Sequence, residues 1–117
     1  RVREDLRSAG RFLATSAGTG DRVIVSARYV DYGLGHYCGR DTTFEPLPVR
    51  PIRTADDARR NLEALAADPR TTWLVLVREW EDDSEGHLLA ALERSPAATS
   101  VTRFPGVRIF RLAPSRS

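Results

Sequence analysis

Apolar residues recur along this chain at two spacings, three to four residues apart in some stretches and in short unbroken runs in others. Leu6, Ala9, Phe12, Leu13 and Ala17 follow the first spacing, and Gly18 and Gly20 stand behind them as stop signals, so residues 4 to 17 read as an amphipathic helix. After Asp21, Arg22 to Ala27 is short, β-branched and apolar on both faces, the mark of a strand buried inside a parallel sheet. Pro46, Pro48 and Pro51 break any helix between Thr42 and Arg53 and leave at most a short edge strand around Leu47 to Ile52. Thr54 suits a helix N-cap, Asp56 and Asp57 sit where the helix dipole favours carboxylates, and Ala58, Leu62, Leu65 and Ala66 supply the apolar face. Asp68-Pro69 ends that helix. Trp73 to Val77 is apolar on both sides and predicts a central strand. Asp82 and Glu85 form an acidic capping box ahead of a third long helix with Leu88, Leu89 and Leu92 on its inner face, closed by Ser95-Pro96. Thr99 to Phe104 and Val107 to Leu112 flank Pro105-Gly106, an antiparallel pair joined by a tight turn.

The segment "YVDYGLGHYCG" needs a separate decision, because its glycines suggest a dinucleotide-binding turn. Such a turn places its first glycine directly after the strand, at a helix N-terminus. Here seven residues, Ser26 to Tyr32, intervene before Gly33, and Cys38 occupies the place of the third glycine. Residues 29 to 38 therefore read as a helix that packs through Val30, Leu34 and Tyr37, with Gly39 as its C-terminal cap. No cofactor is expected. Strands alternating with helices imply right-handed crossovers and an α/β fold, a three-layer Rossmann-like sandwich whose mostly parallel sheet ends in an antiparallel hairpin. Residues 1–112 form one domain, and 113–117 a frayed tail.

Composition narrows this only slightly. A chain of 117 residues with 41% hydrophobic and 29% charged residues is an ordinary globular domain. The run from Trp73 to Val77 falls far short of the roughly 20 residues that a membrane span needs. All 18 basic residues are arginine, interleaved with 16 carboxylates, and the net charge of +2 is too small and too scattered for a nucleic-acid partner. A single cysteine, Cys38, excludes an internal disulfide. The absence of methionine, position 1 included, is the pattern of a piece of a longer protein.

Candidate chemistry is sparse. His36, Cys38 and His87 lack metal-ligand spacing, and the acidic run Glu79, Glu81, Asp82, Asp83 and Glu85 misses the calcium-loop pattern, because Leu92 stands at the twelfth position. Ser26 and Ser84 lack a nucleophile-elbow context. No catalytic residue and no metal site is expected. The geometry of an open parallel sheet says more, since its ligands sit beyond the carboxyl ends of the strands. Arg28, Tyr29 and Asp31 follow the first strand, and Arg78, Glu79 and Trp80 follow the central one. Arginine, aromatic and carboxylate together suit a carbohydrate or phosphate surface; the same residues also cap loops and contact other domains.

The opening "EDLRSAGRFLATSAGTGDRVIV", the aromatic-rich "YVDYGLGHYCG", the strand "TTWLVLVREWED" and the ending "FPGVRIFRL" together resemble the soluble C-terminal domain of bacterial polytopic glycosyltransferases of the GT-C type, relatives of protein O-mannosyltransferases and of the aminoarabinose transferase. The likeness covers nearly the whole chain. It implies a non-catalytic accessory domain on the extracytoplasmic face of the cell membrane, partnered by the membrane-embedded region of the same polypeptide and in contact with carbohydrate or lipid phosphate. In those enzymes a polyprenyl phosphate carries the donor sugar, and the catalytic aspartate lies in the membrane region, so no catalytic residue transfers to a position here. The charged start Arg1-Val2-Arg3-Glu4 suits a cut just past a membrane helix. Residues 40 to 53 match nothing in that family. A stand-alone Rossmann-like domain for a small ligand is the alternative.

Overall fold

The computed structural model describes residues 5–26, 44–77 and 86–114. Within them lie α1 (Leu6–Ser16), β1 (Arg22–Val25), β2 (Phe44–Pro46), α2 (Ala55–Ala66), β3 (Thr72–Val77), α3 (His87–Arg94), β4 (Ala98–Phe104) and β5 (Val107–Leu112). The strands form one sheet in the order β2-β1-β3-β5-β4. β1 pairs in parallel with β2 and with β3, while β5 runs antiparallel to both β3 and β4. The fold is α/β, and its sheet is mixed.

That corrects the expectation of a mostly parallel sheet, since two of its four pairings are antiparallel, while the antiparallel hairpin that ends the sheet is present. The hairpin folds inward, so that β5 takes the slot beside β3 and pushes β4 outside. Burial explains the choice. Val107, Ile109, Phe110 and Leu112 of β5 are all buried and so need cover on both faces, whereas Thr99, Ser100 and Arg103 of β4 are exposed. An interior position rewards the first set, by about 25 cal/mol per Å² of apolar surface removed from water, and an edge suits the second. β4 also carries one extra residue, since Ser100 lies opposite Phe110 and Thr102 opposite Ile109, which leaves Val101 as a bulge.

Alternation along the strands divides the core in two. Val23, Val25, Trp73, Val75, Val77, Val107 and Ile109 meet Ala9, Leu13 and Ala17 of α1 on one face. Ile24, Leu74, Leu76, Phe110 and Leu112 meet α2 and α3 on the other, through Ala58, Leu65, Leu88 and Leu92. The buried β1 and the central position of β3 are as the sequence predicts, and so is the cap of α2. Thr54 Oγ1 accepts the Asp57 N–H at 3.1 Å, and the Asp57 carboxylate accepts the Thr54 N–H at 3.2 Å.

Two boundaries differ. The edge strand is Phe44–Pro46 rather than a stretch between Leu47 and Ile52, because those two residues turn inward and join the α2 side of the core. The fully buried Asn61 holds this connection. Its Oδ1 accepts the Val49 N–H at 2.9 Å, and its Nδ2 donates to the Val49 carbonyl at 3.0 Å. The last helix is short, eight residues, with Gly86 as N-cap at φ 72° and no side-chain cap; Asp82 and Glu85 lie outside the described residues. So does the helix expected over 29 to 38. At the C-terminus the Ala113 N–H donates to the Ala97 carbonyl at 3.0 Å, extending the β4 side of the hairpin by one contact.

Two outcomes follow from this packing. Ile109→Ala opens a cavity against α1 and should lower the unfolding free energy by about 3 kcal/mol in urea titration, whereas Thr99→Ala on the exposed edge should change it by less than about 0.5 kcal/mol. The second concerns acid. The Arg53 N–H, and then the Arg60 guanidinium, hold the Asp57 carboxyl at about 2, below the ordinary carboxylate value. A depressed folded-state value means that this stability is complete above the unfolded value of about 4 and is lost as pH falls toward 2. Melting profiles across that window should therefore fall less steeply for Asp57→Asn than for the parent chain.

Candidate functional site at the carboxyl ends of β1 and β3

The connection leaving β1 leads to β2 on one side, and the connection leaving β3 leads through α3 toward β4 on the other. Neighbouring parallel strands whose continuations part in this way form a topological switch point, the place where open α/β sheets receive ligands. The ladder shows how the two ends are locked together. Val25 lies opposite Val75, the Ser26 N–H donates to the Val75 carbonyl at 3.0 Å, and the Val77 N–H donates to Ser26 Oγ at 3.1 Å. Ser26 is fully buried, so its hydroxyl stands in for a backbone acceptor and carries the pairing one step past the strand. No hydrolytic role suits a serine engaged this way.

Other elements converge on the same edge. β5 opposes β3 with Val107 beside Val77, which places the Pro105-Gly106 turn at the carboxyl end of β3. The Asp5 N–H donates to the Pro105 carbonyl at 2.8 Å and fixes the start of α1 there. Asp5 caps α1 through the Ser8 N–H at 3.0 Å and the Ser8 hydroxyl at 2.8 Å, bonds that hold its carboxyl below the usual range. α3 lies in the connection between β3 and β4, which run in the same direction on either side of β5.

The amino ends of the strands are occupied by charge pairing. Arg22 reaches Asp68 at 3.1 Å, Thr72 Oγ1 at 3.3 Å and the Leu65 carbonyl at 3.4 Å. Arg70 grips both oxygens of Asp68 at 2.8 and 2.9 Å, and Glu45 stands 3.8 Å from each arginine. Hydrogen bonds from Arg70, with the nearby Arg22 charge, hold the Asp68 carboxyl well below its ordinary range. The turn before β1 is closed in a similar way, since Asp21 Oδ2 accepts both the Gly18 N–H at 2.7 Å and the Trp73 indole N–H at 2.9 Å. Sequence reasoning passed over Asp21. Its position directly behind two glycines and ahead of a strand was the available signal.

Arg28, Tyr29 and Asp31 lie in 27–43, and Arg78, Glu79 and Trp80 in 78–85, both outside the described residues. The structure brings together the two strand ends from which these residues continue. His36 and Cys38 fall in the first segment also. His87 opens α3. Among the described residues no group of three or more His, Cys, Asp or Glu could hold a metal ion, and no helix is long and apolar enough to cross a membrane. Compared with family models, with curated proteins and with solved structures, the chain finds no match in any of the three.

Replacing Ser26 by alanine leaves the buried Val77 N–H without its acceptor and should cost about 1 to 3 kcal/mol of stability. Amide exchange distinguishes this from a general loosening, since the Val77 amide should exchange faster in Ser26→Ala by more than amides of the β3 and β5 ladder do.

Proposed function

We propose that this chain is a non-catalytic accessory domain of a GT-C-type membrane glycosyltransferase that uses a polyprenyl-phosphate sugar donor. It sits on the extracytoplasmic face and turns the carboxyl ends of β1 and β3 toward acceptor, lipid phosphate or the membrane-embedded region of the same polypeptide. The observation that supports the reading is the side-by-side, parallel ending of β1 and β3 at a switch point. The chain leaves that point through one segment with Arg28, Tyr29 and Asp31 and another with Arg78, Glu79 and Trp80. Guanidinium groups pair with phosphate in a two-pronged fashion, and aromatic rings stack on the apolar faces of sugars, so the two arginines and two aromatics among these six residues fit a phospho-sugar ligand. The resemblance in sequence supplies the parent enzyme.

A stand-alone Rossmann-like domain for a small ligand is the second reading, favoured by the same switch point. The coding sequence upstream of Arg1 separates the two: a series of hydrophobic helices belongs to the first, and a soluble domain or an initiator codon to the second. In the intact protein, Trp80→Ala combined with Arg78→Ala should reduce glycosyl transfer at least about tenfold, the loss expected for removing one charge-assisted contact and one stacking contact. Its melting temperature should stay within about 2 °C of the parent. An unchanged transfer rate discards the site, and activity that falls in step with a large drop in melting temperature means packing instead.

A further inference from the structure

α1 is the only helix among the described residues on its face of the five-stranded sheet. Its apolar side packs over Val75, Val107 and Ile109 near the middle of that face. On the β4 flank apolar side chains remain partly open. Phe12 meets Phe104 edge to face at 6.2 Å and Trp73 at 6.0 Å, and Val101 packs against the same core. Phe12, Val101 and Phe104 are all partly exposed.

Among the described residues, the fully exposed charges on this side are arginines. The only charged side chains in α1 are Arg7 and Arg11, both exposed, and Arg111 of β5 is exposed on the side of the sheet to which Ile109 and Val107 point. Among the described residues neither the Arg11 nor the Arg111 side chain has a hydrogen-bond or ion-pair partner. The two described carboxylates on this side are engaged, Asp5 with Ser8, and Asp21 with Gly18 and Trp73. The opposite face differs. There Arg59 bridges Asp56 and Glu63, Arg60 pairs with Asp56 and Asp57, and Arg108 reaches Glu93 at 3.3 Å.

We propose that the α1 face docks onto an anionic bilayer surface, with Arg11 and Arg111, beside Arg7, on lipid phosphates and with Phe12 and Phe104 toward the headgroup layer. Guanidinium pairs with phosphate, and aromatic rings favour the membrane interface. Three arginines beside an apolar shelf are too few for the basic stripe that a nucleic acid requires. The inference rests on the reading of the chain as a membrane-protein domain for its biological setting. Its test does not involve glycosyl transfer, so failure here leaves the edge of β1 and β3 to its own experiment.

The 117-residue chain is sedimented with vesicles of phosphatidylcholine alone and of phosphatidylcholine mixed with phosphatidylglycerol. Binding should require the anionic lipid and weaken as salt is raised. Arg11→Gln combined with Arg111→Gln should lower the partition coefficient at least about tenfold, as removing two surface-facing charges does. Arg59→Gln combined with Arg60→Gln removes the same net charge from the other face and should lower it by less than about threefold. All four side chains are exposed, and circular dichroism checks that both doubles fold. No binding to the mixed vesicles, equal binding to both lipid compositions, or equal losses in the two double variants would each overturn the proposal.

Discussion

Every residue of β3 is buried, on both faces of the sheet, and the rest of the molecule is arranged to make that possible. A strand with no solvent face needs a strand on each side and a helical layer above and below. β1 and β5 supply the first, and α1 on one face with α2 and α3 on the other supply the second. The two polar side chains of β3 need partners for the same reason, because an unmet donor or acceptor at this depth costs as much as a lost hydrogen bond. Asp21 takes the Trp73 indole N–H, and Thr72 Oγ1 accepts from Arg22. Both partners belong to the short turn and first residue of β1, so polar contacts at its start agree with the register that the apolar residues of the parallel pair adopt.

The two ends of the strands therefore have different characters. At the amino ends, Arg22, Asp68, Arg70 and Glu45 neutralise one another and tie the end of α2 to the edge of the sheet. Charges held this closely position a backbone and have little left to offer a ligand. At the carboxyl ends the pairing is made by backbone and by one buried hydroxyl, and the chain then departs in two directions. A rigid frame at one end with diverging connections at the other is the arrangement from which α/β domains present their variable segments.

Much of this was legible because burial writes itself into residue choice. The unbroken run Trp73 to Val77 identified the central strand, Val23 to Val25 the buried parallel neighbour, and Thr54 with Asp57 the start of α2. What sequence could not supply was the order of the strands. Thr99 to Phe104 and Val107 to Leu112 read equally well as a hairpin lying outside or folded inward, and only competition for the slot beside β3 decides between them. The stretch with three prolines was opaque for a related reason. Its fixed point is Asn61, distant in sequence, and a buried asparagine inside a helix carries no local signal of the backbone it will hold. Of the candidate site, the adjacency of β1 and β3 is established, while the residues beyond Ser26 and Val77 were read from sequence position alone.

The bulge at Val101 and the three-residue length of β2 have a common consequence. A sheet that ended in two long, flat, apolar strands would offer its open backbone groups to strands of other molecules, the route to runaway association. Here one border is only Phe44 to Pro46 and finishes in a residue without an N–H, and the other is bent by an inserted residue and lined with Thr99, Ser100 and Arg103. Growth of the sheet by copying itself is discouraged at both borders. Whatever this domain recognises is left to its faces and to the ends of its strands, where recognition depends on side chains.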